Sequence, residues 1–240
     1  MISIEDLFQI QSQFNNKIYG DTQSNLEKTE ITKTLALCLH SEVSELIQSL
    51  TYKDHHHKST DVDKIKMLFE SVDVFRYVLA ILNLNEIESK DFITAYFDKE
   101  YYLRAINKTP EKWDGVKPVV IVDIDDVLSE FRQNFADWLE EHYDLNIDVD
   151  SDEYYFITAL NTLDVNPEDV FEEFVNQGGF RHLDFVPDAW NMLKELKEQG
   201  YWIQLLTARP KENLKCFYDT YFWLHVNEVP YDAVDFSSEK

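Results

Sequence analysis

The sequence contains few cysteines and few glycines, and it has no long hydrophobic run. Its two cysteines, Cys38 and Cys216, are far apart, so we expect neither a disulfide framework nor a zinc site built from thiolates. None of the five glycines is spaced from another as in a Walker or dinucleotide-binding loop. No stretch approaches the roughly 18 uninterrupted apolar residues that a transmembrane helix needs, and the N-terminus lacks the pattern of a signal peptide. The sequence therefore predicts a cytoplasmic protein that uses neither of those phosphate-binding loops.

Basic residues are also scarce. The chain has 22 Lys and Arg against 46 Asp and Glu, a net charge of −24. Such a surface repels nucleic-acid backbones and anionic membranes, so we expect neither as a partner. With 44% hydrophobic residues, the 240-residue chain can bury a core and is long enough for one large domain or two small ones.

The first half of the chain has a helical pattern. Up to about residue 106 the apolar residues recur at helical spacing, and strand-like runs are absent. This predicts an all-α bundle over 1–106, and the polar segment 107–118, with two prolines and a glycine, predicts a linker. The third helix is apolar on nearly all sides, so we expect it to be buried on most of its faces. The four expected helices lie at about 3–18, 35–50, 64–82 and 86–105.

The second half has a strand and helix pattern. Val119–Val122 is a short apolar run of β-branched residues, as in a buried parallel strand, and Tyr201–Leu206 is a second such run. A helical segment at 187–199 precedes the second run. The alternation predicts an α/β domain over 119–240.

Two pairs of acids lie on the central helices of the bundle. Glu42 and Glu45 are three residues apart, as are Glu70 and Asp73, so the members of each pair share a helix face. Their neighbours are apolar, which predicts that the acids lie near the bundle interior. Grouped carboxylates repel one another and lose hydration unless protons or a hard cation compensate, and oxygen ligands suit Mg²⁺ or Mn²⁺. The alternative is that the pairs arise by chance on acidic helices, although two pairs on adjacent apolar helices favour a metal site.

This E-x-x-E and E-x-x-D arrangement resembles the all-α NTP pyrophosphohydrolases, the family of dimeric dUTPases and MazG-type enzymes. The stretches Ser44–Lys53 and Glu70–Tyr77 are similar to those of the dimeric dUTPases. The resemblance covers about residues 3–106 and implies a homodimer that hydrolyses a deoxynucleoside triphosphate, dUTP first, to the monophosphate and pyrophosphate. It implies these roles: Glu42, Glu45, Glu70 and Asp73 bind magnesium, Glu45 also orients the attacking water, Gln11 and Asn15 contact the base, and Lys53 and Lys99 approach the phosphates. Without the resemblance, Gln11 and Asn15 could equally form a solvated helix face.

A second group of acids follows the first predicted strand. Asp123 and Asp125 lie where that strand ends, and ligands of open α/β sheets bind beyond the carboxyl ends of the strands. One could be a nucleophile towards a phosphoryl group and the other a general acid/base, with magnesium offsetting the phosphate charge. The alternative is an ordinary strand end followed by a capped helix.

The run D-I-D-D-V-L resembles motif I of the haloacid dehalogenase-like (HAD) phosphohydrolases, and T-A-R-P resembles motif II. The resemblance implies that Asp123 is the nucleophile and a magnesium ligand together with Asp125, that Asp125 is the acid/base, and that Thr207 binds the phosphoryl group. Lys240 stands where motif III supplies its lysine, and 129–181 would be a helical cap of the kind found in HAD 5′-deoxyribonucleotidases. No counterpart of motif IV follows, so we expect this domain to be truncated and C-terminally incomplete; the alternative is a domain that has lost its phosphatase activity.

Three functions are consistent with the sequence. The first is magnesium-dependent hydrolysis of a deoxynucleoside triphosphate, with a possible second HAD phosphatase activity on the monophosphate. The second is a HAD nucleotidase whose helical domain regulates it or binds a nucleotide. The third is a non-enzymatic acidic binding protein, which would need its carboxylates on exposed faces.

Overall fold

The chain forms two compact units. The computed structural model describes residues 2–20, 24–49, 63–107, 113–149, 156–162 and 165–237. Unit 1 comprises Met1–Ala95 and unit 2 comprises Tyr96–Lys240. The division falls inside a helix, whereas the sequence pattern places the domain boundary at the end of that same helix.

Unit 1 is helical, as the sequence predicts. The first helix begins at a capping box in which the hydroxyl of Ser3 and the carboxylate of Asp6 bond to one another's backbone N–H groups. The third begins at Asp63, whose carboxylate accepts from two N–H groups of the first turn. The helices of unit 1 are α1 (Ile4–Tyr19), α2 (Asn25–Ser49), α3 (Lys64–Leu84) and the first part of α4 (Ser89–Asn107).

The core of unit 1 is small and lies between α2 and α3. Leu35, Ala80 and Leu84 form it, with partly buried side chains such as Tyr77 packed against them. The expectation that α3 is buried on most faces is wrong within one chain, because Leu68 is 60% exposed and Phe69 is 65% exposed. Periodicity shows that a face is apolar, but what covers that face depends on packing.

Unit 2 contains a parallel sheet, which confirms the predicted α/β class. Its strands are β1 (Val119–Asp123), β2 (Trp202–Thr207) and β3 (Ala233–Phe236), in the order β1-β2-β3. Asp123 pairs with Leu206, so β1 and β2 end at the same edge of the sheet. Between β1 and β2 the described chain is helical, including the part predicted as a cap. The remaining elements are α5 (Phe131–Tyr143), α6 (Ile157–Leu160), α7 (Pro167–Asn176), a 3-10 helix (Gly179–Arg181), α8 (Ala189–Glu198) and α9 (Leu214–Val226).

The core of unit 2 is large and aromatic. Phe135 is fully buried and packs against Phe174, with ring centroids 4.9 Å apart, and Ile203 and Leu205 bury the middle of β2. This core supports the edge of the sheet at which β1 and β2 end.

The second half of α4 belongs to unit 2. The Asp98 carboxylate is 2.8 Å from a guanidinium nitrogen of Arg181, which also pairs with Asp219 at 2.9 Å. The ring of Tyr102 packs edge-to-face on Phe217 of α9. These contacts explain why the division between the units precedes the end of α4.

In the part of the chain that the structure describes, no helix combines the length and apolar character needed to cross a membrane.

Candidate functional sites

The first candidate site lies on α2 and α3. One carboxylate oxygen from each of Glu42, Glu45 and Glu70 lies within 4.8 Å of the other two. Helical spacing puts the two α2 acids on one face, and the packing of α2 on α3 brings Glu70 to them. Asp73 is not a member of this group of three, although its charge acts on Glu42.

The electrostatics of this site disfavour ionisation of one acid. Burial raises the pKa of Glu42, and the charges of Glu45, Asp73 and Glu70 raise it further. Glu42, Glu70 and Asp73 are half-buried, whereas Glu45 is exposed. The predicted interior position is therefore wrong for Glu45, which lies where a ligand and water have access.

These residues fit a hard divalent cation. Three converging carboxylates offer only oxygen ligands, which suit Mg²⁺ or Mn²⁺ and not zinc. A bound cation would also relieve the repulsion that raises the pKa of Glu42.

The two amides predicted to read a base are buried in the bundle. Gln11 and Asn15 are 5% and 6% exposed, so the alternative of a solvated helix face is wrong. The Gln11 amide nitrogen donates to Asn15 Oδ1 at 3.0 Å, and the Asn15 amide nitrogen donates to the Ala80 carbonyl at 3.0 Å. A cavity of about 130 Å³ lies beside Asn15 and is lined by polar side chains, including that of Asn83. The pair therefore ties α1 to α3 and holds Asn15 at the wall of a polar cavity.

Of the three lysines predicted to approach phosphates, the structure describes only Lys99. Lys99 is exposed on α4, beside the buried Asp98. Lys53 and Lys240 lie outside the described residues.

The second candidate site lies at the carboxyl edge of β1 and β2. Asp123 ends β1, and its Oδ1 accepts from the backbone N–H of Ile124 at 2.7 Å. Asp125 follows two residues later, and its side chain is 18% exposed. Thr207 ends β2 and is fully buried, and its hydroxyl accepts from the backbone N–H of Arg209 at 3.2 Å.

One acid of the D-I-D-D run has a structural role. Asp126 has a positive φ of 59°, and its Oδ1 accepts from the N–H of Arg132 in the first turn of α5 at 2.8 Å. The capped-helix alternative therefore describes Asp126, while Asp123 and Asp125 remain at the strand end.

Sequence reasoning missed the partner of Asp125. The guanidinium of Arg209 contacts both carboxylate oxygens, with the closest approach, from Nη2 to Oδ1, at 2.6 Å. Because the guanidinium already faces both oxygens, its positive charge would repel a metal ion bound to the same carboxylate. Asp125 is therefore a poor magnesium ligand. Arg209 stands inside the quoted T-A-R-P run, and its burial next to an acid could not be inferred from that run.

Two family models match the chain, and their matches overlap over residues 117–178. A family model described as dUTPase matches residues 3–178, a longer stretch than the resemblance over about 3–106. A second model, described as 5′ nucleotidase, deoxy (pyrimidine), cytosolic type C protein, matches residues 117–240. No curated protein matches the chain.

Both families are nucleotide hydrolases, and the architecture agrees with them: a helical, pyrophosphohydrolase-type region precedes a HAD-like α/β domain. The chain belongs to the dUTPase family and, in its α/β part, to the cytosolic type C 5′-deoxynucleotidase family.

Proposed function

We propose that this protein hydrolyses a deoxynucleoside triphosphate, dUTP first, to the monophosphate and pyrophosphate at the carboxylate site of α2 and α3. The observation that carries the proposal is the convergence of Glu42, Glu45 and Glu70 within a segment that matches the dUTPase family. Both matched families act on nucleotides, which favours an enzyme over an acidic binding protein.

The exposure of each residue of this site suggests its role in the reaction. Glu45 is exposed, so it accepts a proton from the attacking water while the water oxygen bonds to the α-phosphorus. The bond from that phosphorus to the bridging oxygen breaks, and pyrophosphate leaves. Glu42, Glu45 and Glu70, together with Asp73, would hold Mg²⁺, which when bound would offset the charge of the phosphate oxygens. Gln11 and Asn15 are the proposed base-contacting residues, and the hydrogen bond between them fixes the orientation of the Asn15 amide.

We propose a second activity for the HAD-like domain, removal of phosphate from the nucleoside monophosphate. An oxygen of Asp123 bonds to phosphorus as the ester bond breaks, and Asp125 donates a proton to the departing ester oxygen, which leaves as an alcohol. Water then attacks the phosphorus, Asp125 takes a proton from it, and the bond to Asp123 breaks to release phosphate. Magnesium is the expected cofactor here too, with Asp123 as its ligand. Thr207 and Lys240 remain the proposed phosphoryl-binding residues.

The assembly and location belong to the same proposal. Ile65, Leu68, Phe69 and Val72 form an exposed apolar stripe along α3 at spacings of three and four residues. A stripe of this kind supports a homodimer through the helical domain, since large exposed apolar surfaces mark interaction sites. The matched nucleotidase family is described as cytosolic, which supports a cytoplasmic protein.

A product assay with Glu45→Gln tests the first activity. The full chain is given each deoxynucleoside triphosphate with Mg²⁺, and pyrophosphate and phosphate are measured separately. We expect pyrophosphate from the wild type and a loss of about 10²–10⁴-fold in Glu45→Gln, as for removal of a general base. The matched control is Glu30→Gln, an exposed acid on the same helix that pairs with Lys33. This control should retain full activity.

The opposite outcomes are equally clear. Release of phosphate alone, or full activity in Glu45→Gln, would refute the pyrophosphohydrolase. Asp123→Asn separates the two enzyme hypotheses. If this variant loses all turnover, the protein is a HAD nucleotidase with a regulatory helical domain. If the variant still releases pyrophosphate at the wild-type rate, the two activities belong to separate sites.

A further inference from the structure

We propose that Arg209 is a positioning residue of the HAD-like site, where it acts on the substrate only through Asp125. The inference rests on the second activity proposed above, because it concerns how that site holds its acid/base. Neither resemblance described above assigns a role to Arg209.

The contact between the two side chains is extensive. Arg209 Nη2 lies 2.6 Å from Asp125 Oδ1, and Nε lies 3.1 Å from each of Oδ1 and Oδ2. The hydroxyl of Ser129 lies 3.1 Å from Oδ1. Several directed contacts on one carboxylate restrict its rotation far more than a single hydrogen bond does.

Arg209 is itself held rigidly. Its Nη1 donates to the hydroxyl of Thr220 at 3.1 Å, and its guanidinium lies 4.5 Å from the ring centre of Phe180. The hydroxyl of Thr220 in turn donates to the Cys216 carbonyl at 2.8 Å. The guanidinium is thus anchored to α9 and to the aromatic core, and it can transmit that rigidity to Asp125.

The exposures of the two side chains assign the roles. The Arg209 side chain is 1% exposed, whereas that of Asp125 is 18% exposed. A phosphate monoester can therefore reach Asp125 but not the guanidinium behind it. Arg209 fixes the direction of the carboxylate, and of these two residues only Asp125 touches the substrate.

Lysine cannot replace this arrangement. Arginine contacts the carboxylate through two nitrogens and at the same time reaches Thr220 and stacks on Phe180. A lysine has one ammonium group on a flexible stem, so it cannot make all of these contacts at once. Arg209→Lys therefore keeps the positive charge and removes the geometry, so it separates positioning from charge.

The test measures phosphate released from dUMP by the full chain with Mg²⁺. We expect Arg209→Lys to lower kcat by about 100-fold, the size of effect that a misplacement of 1 Å produces, with KM changed by less than about 3-fold. In an Asp125→Asn background the same change should lower the remaining rate no further, because the group it positions is gone. Arg104→Lys is the matched control, since Arg104 also pairs its guanidinium with a carboxylate, that of Glu100 at 2.8 Å, but on the exposed surface of α4. It should behave as the wild type does.

A second variant covers the case in which Arg209→Lys does not fold, as checked by tryptophan fluorescence. Ser129→Ala removes one smaller contact to Asp125, and we expect a fall in kcat of several-fold that also disappears in the Asp125→Asn background.

Three results would overturn the inference while leaving the second activity intact: unchanged kcat in Arg209→Lys, an equal loss in both backgrounds, or a rise in KM alone. Absence of phosphate release from dUMP by the wild type would instead refute the second activity, and the inference with it.

Discussion

Replacing Glu42 with Gln should stabilise the metal-free protein. Two unit charges 4.8 Å apart repel by about 0.9 kcal/mol at the dielectric constant of water. The carboxylates of Glu45 and Glu70 lie within this distance of Glu42, and Glu45 is exposed, so a value close to that of water applies. Screening at 0.1 M salt, where the Debye length is about 10 Å, leaves a total of about 1 kcal/mol. Glu42→Gln should therefore raise the free energy of unfolding by about this amount in EDTA.

The pH dependence of this difference has a definite sign. Burial and neighbouring charge raise the pKa of Glu42 above its ordinary value of 4.5, so the folded state resists ionisation. Below pH 4.5 the side chain is neutral in both states, and the wild type and Glu42→Gln should be equally stable. The advantage of Glu42→Gln should develop as the pH rises through the folded-state pKa, and more salt should reduce it.

Magnesium should reverse the order of stabilities. At a free concentration 100 times its Kd, a ligand of the folded state adds about 2.7 kcal/mol. Glu42→Gln lacks one carboxylate of the site, so most of this gain should go to the wild type.

Two spectroscopic probes locate the effect. Far-ultraviolet circular dichroism during urea unfolding reports on both units, whereas tryptophan fluorescence reports on unit 2 alone. We expect Glu42→Gln to shift the unfolding curve measured by circular dichroism more than the one measured by fluorescence. The five tryptophans are Trp113, Trp138, Trp190, Trp202 and Trp223.

Glu30→Gln is the control for net charge, since it removes one acid from the same exposed helix. It should change stability by less than about 0.5 kcal/mol with or without magnesium. If Glu42→Gln resembles this control in EDTA, or if magnesium stabilises Glu42→Gln as much as the wild type, the carboxylates do not form the charged site described here.

Two further predictions concern unit 2. A Cβ on Gly179 would lie 2.3 Å from the buried ring of Phe174, so Gly179→Ala should destabilise unit 2 by about 1–3 kcal/mol, measured as a lower urea midpoint in tryptophan fluorescence. An unchanged midpoint would show that the ring moves aside without cost. Burial raises the pKa of the Cys216 thiol to about 12, so a thiol reagent at pH 8 should label Cys38 alone in the native chain and both cysteines in denaturant. Rapid labelling of both thiols in the native protein would contradict the burial of Cys216.

Local patterns in the sequence predicted the helices and strands and the positions of the acids on them. Helical spacing placed Glu42 and Glu45 on one face, and the apolar run at Val119–Val122 predicted the first strand. These inferences succeed because helix and strand periodicities depend on neighbouring residues. The carboxyl ends of parallel strands meet at one edge, which also accounts for Asp123 and Thr207 lying at the ends of neighbouring strands.

Helical periodicity did not predict which helix faces are buried and which are exposed. The apolar face of α3 at Phe69 is exposed within one chain, whereas the polar pair Gln11 and Asn15 is buried. Whether a face is covered depends on where other helices pack, and no local pattern contains that information.

The sequence by itself therefore determined the two-part organisation, the family resemblances and the two sets of acids. Only the tertiary structure decided that Glu70 joins Glu42 and Glu45 across two helices, and that Arg209 holds Asp125 although 84 residues separate them. The reason is physical: a carboxylate's neighbours across space set its charge environment and its orientation, and they are selected by the packing of the core.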